Sequence, residues 1–368
     1  MLNIKLPTYS CLVTSFLVAI VAFATSDAHG QVLKPLQDDP SAKPTVASVY
    51  KLTKTAKTSS DYSRIINDCR AMTAEPTTSA KDLNYLEDLL SWAHNRRGTK
   101  QFAAAESLSK IGNETEASTK LEAAFSDFES SVELDNDRWK AWFGVGNCHL
   151  FVGDYKKAIK EYSRTLELRP TFTKAMFNRA ESNFAIGNYE LALKDYANVI
   201  RDDHTDVQAV TGIAHCNFKL DEFEKAVEGY QFATRLQAND SIAQCNLGDA
   251  WLMMGEFKKA HGEYERATKA SSPAIAYQRL GQLYASCPSD EFLNPAKAIE
   301  MARKAVENGG ENSKNLTTLA AAQRARGNSQ LAEATMEKAK QLQAINRRTR
   351  QTRLAELPES NGTSSTKR

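Results

Sequence analysis

The chain copies itself every 34 residues. Written from Trp139 in rows of that length, four rows fit without a gap and end at Ala274. The third position of the rows reads Ala141, Ala175, Ala209, Ala243, and the eighth reads Gly146, Ala180, Ala214, Gly248. Position 17 reads Tyr155, Tyr189, Phe223, Phe257; position 20 reads Ala158, Ala192, Ala226, Ala260; position 24 reads Tyr162, Tyr196, Tyr230, Tyr264. Five aligned positions exclude chance. A unit this small cannot bury both its faces, so the copies must stack. Composition agrees: of 368 residues, 42% are hydrophobic and 25% charged, which fits a folded chain. The formal net charge is only +2, and so near a balance argues against nucleic acid as the main partner.

Within one row, positions 1–14 and 18–31 carry apolar residues at helical spacing. Between them lies a tight turn, Gly153-Asp154 or Gly187-Asn188, because glycine adopts the left-handed conformation that ends a helix. Asp221 holds that place in the third row, so its turn differs or carries a small strain. Small residues at positions 8 and 20 let two antiparallel helices approach closely. The aromatic at position 24 fills the space against the next pair. Every unit therefore reads as a helix hairpin, and the chain as all-α.

These residues resemble the tetratricopeptide (TPR) repeat family. The first row matches its pattern at Trp142, Gly146, Ala158, Tyr162 and Pro170, and departs from it at His149 and Thr165. The fourth matches at Leu247, Gly248, Ala260, Tyr264 and Ala267. Pro170 is the only proline at position 32; His204, Ala238 and Ser272 replace it. Two degenerate rows follow. In one, Leu280-Gly281 and Tyr284 are joined to Ala298 and Ala305 across five extra residues; the other carries Leu319, Ala320, Gly327, Ala332, Met336 and Ala339. Upstream, Gly98 is joined to Ala124 and Phe128 across fourteen extra residues. The resemblance implies a right-handed superhelix of about six repeats over 91–344. Residues 46–90 are expected to form N-terminal capping helices, 345–357 a C-terminal capping helix and 358–368 a disordered tail. The segments WAHNRRG, FNRAE, YASCP and TLAAAQRARGN resemble a bacterial exported TPR subfamily, to which no catalytic role attaches.

The start of the chain fits export. Lys5 precedes an apolar run from Cys11 to Ala24, which as a helix spans roughly 21 Å, short of a ~30 Å hydrocarbon core. Small-residue cleavage sites follow at Ala22-Phe23-Ala24 and Ala28-His29-Gly30, so 1–30 reads as a signal peptide. An uncleaved membrane anchor is the alternative. Residues 31–45, with three prolines, read as a linker. Cys69, Cys148, Cys216, Cys245 and Cys287 remain after cleavage, and their irregular spacing is no disulfide framework.

Catalytic signals are weak. Gly144-Val145-Gly146 lies inside a helix instead of after a strand, where a phosphate loop belongs. Ser107-Leu108-Ser109-Lys110 spells S-x-x-K with no partner motif. The histidines His94, His149, His204, His215 and His261 never pair at i, i+4, so no metal site and no cofactor is expected. Cys148 and Cys216 sit at position 10, where a small apolar side chain belongs. An enzyme would need the insertion at 286–297, with Cys287, to build a pocket.

The resemblance places first-helix positions 2, 5, 6, 9 and 12 on a concave groove. The expected partner-binding residues are Lys140, Phe143, Asn147, Lys174, Phe177, Asn178, Glu181, Thr211, His215, Asn246 and Asp249. Phe184, Gln208, Phe218 and Leu252 fall on the same face. Amides that bond a peptide backbone alternate with aromatics that bury side chains, which suits an extended peptide or a partner helix. The alternative is that Phe143, Phe177 and Phe184 simply pack the seams between repeats. A carboxylate clamp of the chaperone type is rejected, because Phe143, Gln208 and Gly212 replace its cations. The expected function is a non-catalytic protein-binding scaffold outside the cytoplasm, without a small-molecule substrate. Alternatives are an envelope assembly factor held by an uncleaved N-terminus, or an enzyme or its regulator. Arg347, Arg348, Arg350, Arg353, Lys367 and Arg368 make the C-terminus basic; it reads first as a solvated capping helix and tail, with peripheral contact to an anionic surface, lipid or nucleic acid, as the alternative.

Overall fold

The computed structural model describes residues 43–355, with sixteen α-helices and no strand among them. The expected signal peptide, nearly all of the expected linker, and the tail lie outside the described residues. Helices α1 (Val46–Thr55) and α2 (Ser59–Thr73) open the chain, each begun by a threonine capping box, at Thr45 and at Thr58. Seven hairpins follow. They are α3/α4 (Ala80–Lys110, Glu114–Leu134), α5/α6 (Trp139–Val152, Tyr155–Leu168) and α7/α8 (Thr173–Ala185, Tyr189–Asp202). Next come α9/α10 (Val207–Lys219, Phe223–Leu236) and α11/α12 (Ser241–Met253, Phe257–Ala267). The last two are α13/α14 (Ala274–Ser286, Pro295–Gly309) and α15/α16 (Ser313–Ala325, Ser329–Ala355).

The 34-residue period is carried into the backbone. First helices begin at 139, 173, 207 and 241, and second helices at 155, 189, 223 and 257. The turns use left-handed residues at the same interval: Gly153, Gly187, Asp221 and Gly255, with Asp221 at φ 59°. Asp221 is the one non-glycine residue at positive φ among the described residues, as its place in the row predicts. Asp154, Asp206 and Asp240 cap the helices that follow them by accepting from backbone N–H groups.

The core is a ladder of tyrosines between small residues. Tyr162, Tyr196, Tyr230 and Tyr264 are all buried, as are the alanines at positions 3 and 20. A methyl group added at Gly146 would lie 2.7 Å from the Tyr162 ring, and one at Gly248 2.4 Å from the Tyr264 ring. The next hairpin presses from the other side: Gly212 faces Tyr196, and Gly144 faces Phe128, the aromatic of α4. Each ring is thus gripped by position 8 of its own repeat or position 6 of the following one. Gly144 and Gly146 serve this packing, and no phosphate can approach them.

The repeat count and two boundaries differ from the sequence expectation. The solenoid has seven hairpins where about six are expected, one for each of the four regular, two degenerate and one upstream rows. The fourteen extra residues of α3/α4 lengthen both helices, to 31 and 21 residues, instead of forming a loop. The division at 90/91 falls inside α3, since no glycine or proline breaks the chain there. Likewise 345–357 is no separate capping helix: α16 runs on without glycine or proline to Ala355.

The helix α2 also does more than cover an end. Tyr62 and Ser63 stand in α2 as Tyr162 and Ser163 stand in α6. The Arg97 guanidinium grips Asp127 through Nε (2.8 Å) and Nη2 (2.7 Å), and donates through Nη1 to Ser63 Oγ (2.9 Å). Arg179 repeats this clasp on Asp195 (2.7 and 2.8 Å) and Ser163 Oγ (3.1 Å). The helix α2 therefore takes the place of a repeat's second helix at this seam.

Candidate functional face of the repeats

The expected groove residues of α5, α7, α9 and α11 form a chain of contacts along the tyrosine ladder. At position 9 of each repeat a polar side chain meets the tyrosine of its own hairpin. Asn147 Oδ1 accepts from the Tyr162 hydroxyl at 2.8 Å, and Glu181 accepts from the Tyr196 hydroxyl. Asp249 Oδ1 accepts from the Tyr264 hydroxyl at 2.7 Å, while the His215 ring packs edge-on to Tyr230 at 5.4 Å. Helical spacing explains this: position 9 lies one turn from position 5, on the side facing the second helix.

Other contacts cross the seams between repeats. Asn178 Nδ2 donates to Asn147 Oδ1 at 3.0 Å. The Phe184 and His215 rings lie 6.0 Å apart, and His215 Nε2 meets Asn246 Nδ2 at 3.0 Å. An amide nitrogen can only donate, so Nε2 is the accepting nitrogen and His215 is neutral with its proton on Nδ1. Burial, helped by Lys219, pushes the His215 pKa down to about 4, in agreement. Asp249 continues the series through an ion pair to Arg279 Nε at 2.9 Å.

The aromatics are half-buried. Phe143 packs on Tyr162 and Phe172, at 5.7 and 4.9 Å, and Phe177 on Tyr196 at 5.7 Å. They pack seams, and part of each ring stays accessible. Lys140 and Lys174 are exposed; the Lys140 ammonium lies 5.3 Å from the Trp139 ring. Thr211 is half-buried. Asn246 and Asp249 are buried and bonded within the fold, so they brace neighbouring residues more than they present themselves. The Asn147–Asn178–Tyr162 triangle uses Asn147 Oδ1 and Asn178 Nδ2, which leaves the amide hydrogens of the first and the carbonyl of the second outside it.

The enzyme alternative finds a packed loop at 287–294. Cys287 and Phe292 are buried in the core of α13/α14, the Phe292 ring lies 5.3 Å from His261, and Asn294 N–H donates to Tyr284 O at 2.9 Å. All five described cysteines are buried thiols without a disulfide. Burial raises Cys69 and Cys216 to about 12, so neither is a thiolate near neutrality. No group of three or more His, Cys, Asp or Glu suited to a metal occurs among the described residues. A cleft of about 330 Å³ lined by Gln231, Arg235, Gln244, Glu263 and Arg266 shares none of the groove residues.

A family model described as Tetratricopeptide repeat matches residues 139–172, the row whose helix bounds recur three more times. The chain is a tetratricopeptide-repeat protein. No curated protein matches it. Among solved structures, a TPR protein from Parabacteroides merdae is 17% identical, covers 75% of this chain and 96% of its own, and superposes with a TM-score of 0.44. MamA from Desulfovibrio magneticus is 18% identical over 47% of this chain and 93% of its own, at 0.42. YrrB, described as a TPR protein with an unusual peptide-binding site, is 20% identical over 51% and 95%, at 0.40. At these values the likeness is that of a repeated hairpin, and no site is carried across. TPR repeats in general build protein-binding scaffolds, and the repeat matched at 139–172 places the chain in that broad class.

Two features of this TPR chain escaped the sequence reading. The Arg–Asp–Ser clasps need positions 7 and 23 of one repeat and position 25 of the one before, a pattern visible only in superposed rows. His149 stands at position 11, where the first row departs from the family's pattern. It is 1% exposed, with both ring nitrogens unpartnered and the ring edge-on to Phe125 at 5.3 Å.

Proposed function

We propose that this protein is an exported scaffold that holds an extended peptide or a partner helix against the first-helix face of α5, α7, α9 and α11. The single observation that supports this is the Asn147–Asn178–Tyr162 triangle beside half-buried Phe143 and Phe177. It fixes amides at seam spacing next to apolar surface, the combination that pays for peptide binding through backbone hydrogen bonds and side-chain pockets. Lys140 and Lys174 give the rim positive charge and favour acidic flanks in the ligand. Export rests on the apolar run at Cys11–Ala24, outside the described residues. No helix among the described residues is long and apolar enough to cross a membrane. A peripheral membrane contact, through Arg347, Arg348 and the basic residues beyond them, remains part of the proposal.

The test is affinity purification from the native envelope with the wild-type chain and a Phe143→Ala/Phe177→Ala/Asn178→Ala variant. The expected result is loss of the captured protein at unchanged helicity by circular dichroism. Equal capture by both chains moves the binding surface to another face. Mass spectrometry of the N-terminus checks cleavage before Gln31 or nearby.

A further inference from the structure

The internal repeats are comparison structures for one another, and the one that stands between the repeats of Arg97 and Arg179 lacks their arginine, as do the later rows, where Ile213 and Leu247 hold position 7. In the repeats that contain Arg97 and Arg179, an arginine at position 7 lies between an acid at position 23 and a serine at position 25 of the preceding repeat. These guanidinium groups are about a quarter exposed, while the acids Asp127 and Asp195 are nearly covered. The slot is thus built at the seam and opens to solvent on the arginine side.

In the repeat between them, position 7 is Val145, buried in the apolar cluster with Phe128 and Cys148. Its position 23 is Glu161, and position 25 of the preceding repeat is Glu129. Where the two clasped seams hold one acid, one serine and a guanidinium, this seam holds two acids and no guanidinium. Glu161 is 6% exposed, and its Oε2 has no hydrogen-bond partner. The cation nearest to Glu161 is Lys160 Nζ, at 3.9 Å from Oε1, on a side chain 77% exposed. Burial together with Glu133 and Glu161 pushes the Glu129 pKa up to about 7, and burial raises that of Glu161. A buried carboxylate without a partner is costly, and a guanidinium is the group that matches its planar geometry.

We propose that the seam between α4, α5 and α6 is a recognition site for an arginine side chain supplied by a protein partner, with Glu161 and Glu129 as its acceptors. The incoming guanidinium takes the place that Arg97 and Arg179 occupy in the neighbouring repeats. Glu161 receives it through the carboxylate edge that is orphaned in the free protein. Glu129 occupies the place of Ser63 and Ser163 and adds a second negative charge. Ammonium groups lack the planar fork and fit the slot less well. The site lies outside the eleven groove residues, so it stands or falls independently of peptide binding along the first helices.

The experiment titrates the full-length protein with N-acetyl-argininamide and, separately, N-acetyl-lysinamide. It follows the side-chain carboxyl ¹³C signals of Glu129 and Glu161. The expected result is a saturable shift of both signals with the arginine amide, a fall in the Glu129 pKa, and about tenfold weaker binding of the lysine amide. Glu161→Gln should abolish the response. Val145→Arg should place a guanidinium in the slot from within, lower the Glu129 pKa without ligand, and remove the response to added arginine. If the wild type fails to respond while Val145→Arg lowers the Glu129 pKa, the slot is closed to outside groups and the proposal fails. It fails equally if wild type, Glu161→Gln and Val145→Arg respond alike. Glu161→Gln keeps the test decisive if Val145→Arg does not fold.

Discussion

Position 24 shows how single side chains set the spacing of the whole stack. Tyr162, Tyr196, Tyr230 and Tyr264 are buried beside glycine or alanine, and the hydroxyls of Tyr162, Tyr196 and Tyr264 reach a polar residue one helix away. Ala226, fully buried at position 20, lies at such a crossing. Ala226→Leu should therefore destabilise the protein by about 1–3 kcal/mol in urea titration, through overpacking. His149 offers a different test at this scale. Its folded pKa is pushed down to about 4 by burial, against an ordinary 6.5 in the unfolded chain. The unfolded chain binds the proton first, so the stabilisation that His149 permits at neutral pH drains away as pH falls from 6.5 towards 4. His149→Leu should lose stability less steeply than wild type over that window, measured by thermal midpoint. Glu129 acts in the opposite sense: its folded pKa near 7 lies above the ordinary 4.5, so its contribution is full below pH 4.5 and is lost as pH rises through 7. The difference between wild type and variant isolates the histidine from it.

At the scale of the element, the hairpin turn is the part that sequence reports most faithfully. Gly153, Gly187 and Gly255 take left-handed conformations, and Asp221 takes the same one at φ 59° with a Cβ to accommodate. Asp221→Gly should raise stability by about 0.5–1 kcal/mol, since relief of strain exceeds the entropy glycine adds to the unfolded chain. An unchanged or lower urea midpoint would show that the aspartate conformation is unstrained. The hairpin α3/α4 makes the opposite point. Its extra residues contain no breaker before Gly112, so the helices simply grow, and an aligned row that lists them as an insertion conceals a continuous rod. The same holds for α16, where polar helix formers carry the helix past the end of the repeat.

The whole molecule is a row of hairpins whose cores are shared by neighbours. Tyr264, Cys245 and Ala260 belong to one cluster with Leu280, Leu283 and Ala298, two hairpins meeting in one core. Stability in such a stack is close to a sum of local terms. Truncation after Gly310, which removes α15 and α16, should keep the helicity of the remaining hairpins and lower the urea m value in proportion to the surface lost. Loss of all cooperative unfolding would instead mean that the stack folds only as a whole.

The sequence by itself determined the hairpin, its 34-residue pitch, its turns and the burial of its repeated alanines and tyrosines. These follow from local helical periodicity, backbone conformation and small-residue spacing, all of which recur within one row. It also named the residues of the first-helix face. Only the tertiary structure decided how those residues are spent. Asn246 and Asp249 brace the seams, Asn147 and Asn178 meet each other, and Phe143 and Phe177 stay half-open. The same is true of the seam where Val145 stands between Glu129 and Glu161. A missing guanidinium leaves no mark in its own row, because the side chains that would hold it come from three helices and two repeats.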